Sequence, residues 1–196
     1  MASSPFGKFW RILLLLMVLF GLPSLSWIFL QKGLNTRLSI LQELDSLGVV
    51  PVCLSVAEDS LVAPQEWKSN TWFVAFQTTD SSSLSGKDML EKIYGDLSEK
   101  TRLSVLIFSA EPGQAVVEHE RLQGKKDWFE LRLDSLAWRE LAVEGFHWPV
   151  NDAGYPQTTF VALVNEQGVI LNLYDLNKED EIKKLIVHTA FINQKE

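Results

Sequence analysis

The chain opens its pattern with residues 12–30, ILLLLMVLFGLPSLSWIFL, 19 positions without a charge. At about 1.5 Å of rise per residue, a helix of that length covers the ~30 Å hydrocarbon core of a bilayer. Phe9 and Trp10 precede the run and Trp27 lies near its far end, where interfacial aromatics sit. Pro23 predicts a kink, which membrane helices tolerate. The period then changes. Leu34, Leu38 and Leu41 recur at helical spacing and predict an amphipathic stalk that Gly48 and Pro51 end. The stretch 49–67, VVPVCLSVAEDSLVAPQEW, reads as a linker with one or two short strands.

From Thr71 onward the pattern becomes regular. TWFVAFQ (71–77) is a continuous apolar run rich in aromatics, hence a buried strand. KDMLEKIYGDL (87–97) puts Met89, Leu90, Ile93, Tyr94 and Leu97 on one helical face. RLSVLIFSA (102–110) is a second buried strand, QAVVEHERLQG (114–124) reads as a helix and DWFELRL (127–133) as a short strand. SLAWRELAVEG (135–145) predicts a helix capped by Gly145. TTFVALVN and VILNLYDL are strands joined by the turn EQG, and KEDEIKKLIVHTAFI (178–192) closes the chain as a helix with Ile182, Leu185, Ile186 and Ile192 facing inward. Strands joined by helices run parallel and the final hairpin antiparallel. The expected fold is therefore α/β, a thioredoxin-like mixed sheet flanked by helices and preceded by one transmembrane helix. The expected organisation is a short tail at 1–8, the membrane helix at 9–31, a stalk and linker at 32–70, and the thioredoxin-like domain at 71–196.

Charge and composition narrow the function. The formal net charge is −7, and since the first 30 residues hold Lys8 and Arg11 but no acid, the rest is more acidic still. Such a domain repels phosphate backbones, which argues against nucleic acid as a partner. Lys8 and Arg11 before the apolar run would also suit a cleaved signal peptide. The length of the run, and the lack of a small-x-small site after it, favour a retained anchor in contact with lipid. Lys32 and Arg37 beyond the run nearly balance Lys8 and Arg11, so charge alone leaves the orientation open.

The loop TTDSSSLSG (78–86) leads from the first buried strand into a helix. Local capping accounts for it: Ser85 and Asp88 resemble a capping box and Leu84 with Met89 a hydrophobic staple. Yet WFVAFQTTDSSSL, then LSVLIFSAEPG, then TTFVALVNEQGVILNLYD together resemble the SCO/SenC family, membrane-anchored thioredoxin-fold copper chaperones of cytochrome c oxidase assembly. The resemblance covers residues 71–192 and rests on element order, spacing and motif remnants. It sets Phe76 at the phenylalanine before the family's C-x-x-x-C-P motif, Thr79 and Ser83 at its two cysteines, and Leu84 at its proline. Phe108 to Pro112 matches the S-V-D-P region with Glu111 for aspartate, and Gln157 falls at the family's histidine. The broader thioredoxin family offers another match, with Pro156 near its cis-proline.

What the resemblance implies is a scaffold whose copper ligands are all replaced. Copper(I) prefers thiolate, thioether and imidazole, and threonine, serine and carboxamide are poor substitutes. Thiol–disulfide exchange needs two thiols, and Cys53 is the only one in the chain. The expectation is a protein that is not an enzyme, with no cofactor and no metal, bound to an integral membrane partner such as an oxidase subunit or assembly factor. The resemblance implies a single-pass protein of the cell (inner) membrane with its domain in the periplasm. The rival reading is a metallochaperone or thiol-redox protein with a displaced site built from Cys53 and one or more of His119, His147 and His188. A structural accessory subunit is a third. The histidines lack metal-ligand spacing and read as surface or satisfied core residues. Cys53, flanked by Val52 and Leu54, reads as a buried small hydrophobe. Trp128, Trp138 and Trp148 read as core and rim packing. The loop FHWPVNDAGYPQ (146–157) has aromatics of exposed type and two prolines, and Phe146, His147, Trp148 and Tyr155 are its candidate partner contacts.

Overall fold

The computed structural model describes residues 10, 13–44, 46–50, 70–78, 81–99, 101–111, 119–121 and 127–193. The chain divides into two compact units, one ending at Glu43 and the other beginning at Leu44. Residues 32–43 of the expected stalk therefore belong to the first unit. In it, helix α1 (Leu13–Glu43) is long and apolar enough to cross a membrane, and none of its apolar window is buried within the protein. An apolar window with none of its surface buried in the protein is suited to lipid. Pro23 takes effect as a widened turn: Met17–Gly21 is π-helical. Proline has no N–H for the carbonyl four residues back, and its ring presses on that carbonyl, so the ladder loosens just before it. Ser24 Oγ donates to the Phe20 carbonyl at 2.6 Å, next to the carbonyl that Pro23 leaves without its N–H.

The second unit is built on a seven-stranded sheet in the order β1-β7-β6-β2-β3-β5-β4. The strands are β1 (Gly48–Val49), β2 (Thr71–Thr78), β3 (Leu103–Glu111), β4 (His119–Arg121), β5 (Trp128–Asp134), β6 (Phe160–Val164) and β7 (Val169–Asp175). Neighbours β2, β3 and β5 run parallel, while β6, β7, β1 and β4 pair antiparallel. The helices are α2 (Ser81–Ser98), α3 (Ser135–Glu140, continued by a π turn at Leu141–Gly145) and α4 (Glu179–Asn193).

Alternation along the strands splits the core in two. Trp72, Val74, Phe76, Leu106 and Phe108 face Trp138, Ala142, Phe146 and Trp148. Phe73, Ala75, Val105, Ile107 and Trp128 face Leu90, Ile93 and Leu97 of α2 and Leu185 of α4. Both faces of β2 and β3 are covered, which is why these strands read as unbroken apolar runs. The closing hairpin has the expected turn: Asn165 Oδ1 accepts from the N–H groups of Gln167 and Val169, and Gly168 takes φ 74°.

Four expectations change. Residues 119–121 form a strand, not part of a helix. β5 has a free edge, and pairing it with β4 outweighs the helix propensity of Glu120 and Arg121. Helix α2 begins at Ser81, so Ser85 and Asp88 lie inside it and not at its cap. Serine costs only about 0.5 kcal/mol against alanine in a helix, and so does not stop it. Gly145 is no left-handed cap. The left-handed residue is His147, at φ 52°. Finally, β1 falls within the expected linker but belongs to the sheet, while α1 ends at Glu43, ahead of Gly48. Residues 51–69, with Cys53, lie outside the described residues.

Candidate functional site

Strands β2 and β6 pair from Trp72↔Val164 to Ala75↔Val161, but β2 continues to Thr78. Past Ala75 the two strands part. A groove of about 680 Å³ opens beside this fork, lined by Thr78, Asn151, Tyr155, Pro156, Gln157, Thr158, Thr159 and Asn177. It lies at the carboxyl ends of the parallel strands, where α/β sheets place their ligand sites.

Three segments shape or back its lining. The first turns of α2 press against residue 158: a Cβ on Gly86 would stand 3.3 Å from the Thr158 carbonyl. Lys87, next in sequence, pairs with Glu130 of β5 at 3.4 Å, and the same carboxylate accepts from Ser109 Oγ of β3 at 2.7 Å. The start of the helix is thereby tied to two strands.

The second wall is the loop 146–157. Its turn is braced by Asn151, whose Oδ1 accepts from Ala153 and Tyr155 N–H, each at 3.0 Å. Asn151 N–H donates to the Tyr155 carbonyl at 2.8 Å, and Gly154 supplies φ 76°. Gln157 is held along its whole length. Its N–H donates to the Pro149 carbonyl, its Nε2 to the Val150 carbonyl at 3.2 Å, and its own carbonyl accepts from Trp148 Nε1 at 2.7 Å.

The third wall is the β7–α4 connection. Asn177 N–H donates to Asp175 Oδ1 at 3.0 Å, and Lys178 pairs with Glu181 at 2.9 Å and Asp175 at 3.5 Å. The hydrogen bond to Glu181, then its charge, raise the Lys178 ammonium above the usual lysine range.

Of the sequence-derived site residues, Gln157 lines this groove, beside Thr78, which the sequence reading did not single out. Ser83 lies in the first turn of α2, and Thr79 lies outside the described residues. The contact loop divides. Tyr155 and His147 are exposed, whereas Phe146 and Trp148 are buried, so these two are not surface contacts. They pack on Phe76, with ring centroids at 5.3 and 4.7 Å. The reason is His147: its left-handed backbone turns the chain so that both neighbours point inward. His188 is a buried core residue whose Nδ1 meets the Tyr174 hydroxyl at 2.7 Å. His119 lies in β4. No three His, Cys, Asp or Glu side chains gather as a metal set among the described residues. The peptide before Pro156 is trans, so the thioredoxin cis-proline is not reproduced there. Sequence reasoning missed Asn151, Thr78, Thr158, Thr159 and Asn177. The turn motif N-D-A-G signalled the first, but nothing local signalled the others.

The lining offers hydroxyl, carboxamide and phenol groups. Among the described residues it carries no thiol or imidazole, and these groups do not fit copper. Among the described residues that line it there is no histidine, lysine or carboxylate beside a threonine hydroxyl. What it can do is exchange hydrogen bonds with a neutral polar surface.

Neither a scan of protein-family models nor a search of curated proteins finds a match. Solved structures do match. BsSco, a member of the Sco family of cytochrome c oxidase assembly proteins, superposes with a TM-score of 0.52 at 16% identity, over 78% of this chain and 98% of that one. The fold is that of the Sco proteins. A SCO1/SenC family lipoprotein from Bacillus anthracis str. Ames gives 0.49 at 15% identity, over 76% of this chain and 94% of that one. Yeast Sco1 with copper bound gives 0.47 at 16%, over 64% and 78%. At such identities the likeness is one of fold, and the expected thioredoxin-like mixed sheet with flanking helices is what the structure has.

Proposed function

We propose that this Sco-like chain is a non-catalytic, membrane-anchored protein that acts by binding a partner, in the neighbourhood of oxidase assembly. The observation that carries the reading is the donor set of the groove. The fold's strand-end site is open and shaped, yet Thr78, Gln157, Thr158 and Thr159 offer neither a soft metal ligand nor a redox pair. The apolar helix α1 supports the anchor: tethering raises the effective concentration of the domain near an integral membrane partner. The oxidase neighbourhood is drawn from the family of BsSco. A periplasmic domain is part of the same proposal.

Copper(I) titration of the full chain in detergent against a chromophoric chelator tests it. The expected outcome is no stoichiometric binding. Tight one-to-one binding that disappears in Cys53→Ala would establish the displaced-site metallochaperone instead. Stable co-purification of an integral membrane protein in mild detergent is the positive result expected.

A further inference from the structure

We propose that Leu136, Arg139 and Tyr155 form a docking surface for a partner segment in which a carboxylate is flanked by apolar side chains. This deepens the binding reading above and rests on it. Leu136 is 74% exposed and Tyr155 57%, large apolar side chains left open to solvent. Leu136 and Arg139 stand three residues apart on α3 and so share a face. The Arg139 guanidinium lies over the Tyr155 ring, 5.6 Å from its centroid. These three side chains come from α3 and from the loop that walls the groove, and Tyr155 belongs to both surfaces.

Two features set this patch apart from scattered exposed residues. First, it is preorganised. The Asn151 bonds fix the backbone of Tyr155, and Gly154 leaves room for the cation, since a Cβ there would stand 3.1 Å from Arg139 Nη2. A backbone already fixed and a guanidinium already stacked lose little freedom on binding. Second, although the domain is acidic, its cation has no ion-pair partner among the described residues. An arginine stacked on a tyrosine, beside an open leucine, complements an anion carried on an apolar segment. Arginine and tyrosine are also the side chains enriched where interfaces concentrate their binding energy.

The test uses the full chain in detergent micelles and three capped pentapeptides. Each has a central residue flanked by leucine and phenylalanine, and that residue is glutamate, glutamine or lysine. The expected result is that the glutamate peptide binds roughly tenfold tighter than the glutamine peptide. Arg139→Gln should abolish that preference, and Leu136→Ser should weaken both peptides, with the melting temperature unchanged in each variant. Equal binding of the three peptides, preference for lysine, or a glutamate preference that survives Arg139→Gln would overturn the proposal. A membrane partner that still co-purifies with Arg139→Gln and Tyr155→Ala would sink this surface while leaving the binding reading intact. Tight copper binding through Cys53 would sink the binding reading itself.

Discussion

The loop 146–157 holds two regions with the same kind of residue and opposite fates. At its start, Phe146 and Trp148 are buried against Phe76. At its end, Tyr155 stands out in solvent over the groove. All three are aromatics in a loop rich in proline and polar residues. The difference lies in what each backbone segment does. A left-handed residue between Phe146 and Trp148 sends both inward, whereas an Asn151-braced turn presents Tyr155 outward. Composition marks the loop as aromatic, and backbone geometry decides which aromatics serve stability and which remain available for contact.

The largest expected effect separates those fates directly. Trp148→Ala removes a ring packed against Phe76 and Phe146 and the indole donor to Gln157, and should cost about 3–5 kcal/mol in denaturant unfolding. Tyr155→Ala should change stability by no more than about 0.5 kcal/mol. Equal losses in the two variants would erase the contrast between buried and presenting halves.

A middle-sized effect probes the opposite face of the sheet. Tyr174→Phe removes the hydroxyl that meets His188 in the core and leaves a buried imidazole nitrogen without that partner. It should lower the urea midpoint by an amount equivalent to about 1–3 kcal/mol, without altering peptide binding. A change in peptide binding would show that the two faces are not energetically separate.

The smallest effect is one of pH. Burial, then the charge of Asp127, raise the Tyr94 phenol above its ordinary value, against a hydrogen bond from Ser98 that lowers it. A raised folded-state pKa contributes stability that is fully present below the ordinary tyrosine range and is lost as pH climbs through the folded value. Stability should therefore fall more steeply in alkali for the native chain than for Tyr94→Phe, read by denaturant midpoints across pH 9–11, the range about the ordinary tyrosine value near 10. Identical slopes would remove Tyr94 as the source.

Much of the fold was legible because its signals are local. The strands 71–77 and 102–110 are apolar without interruption, and only a strand covered on both faces or a buried helix reads so. Their length and flanking turns settle which. The hairpin turn announces itself through Asn165 and Gly168. Residues 119–121 were misread because a three-residue edge strand has no pattern of its own. It exists through its pairing with β5, a neighbour known only after folding.

The candidate site was half legible for a related reason. Gln157 could be placed at the strand-end site by counting back from the turn glycine, and it does line the groove. Asn177 and Thr159 come from segments whose meeting depends on the parting of β2 and β6 beyond Ala75, which no single segment encodes.

What the sequence by itself determined is the sum of its near-neighbour patterns: an apolar helix able to cross a bilayer, the β-α-β order, the closing hairpin, and a single cysteine, which has no second thiol in the sequence to pair with. What only the tertiary structure decided is where polar side chains converge and which aromatics are left outside. Those depend on contacts between residues far apart in the chain, and burial is a property of the assembled sheet and its helices, not of any residue type.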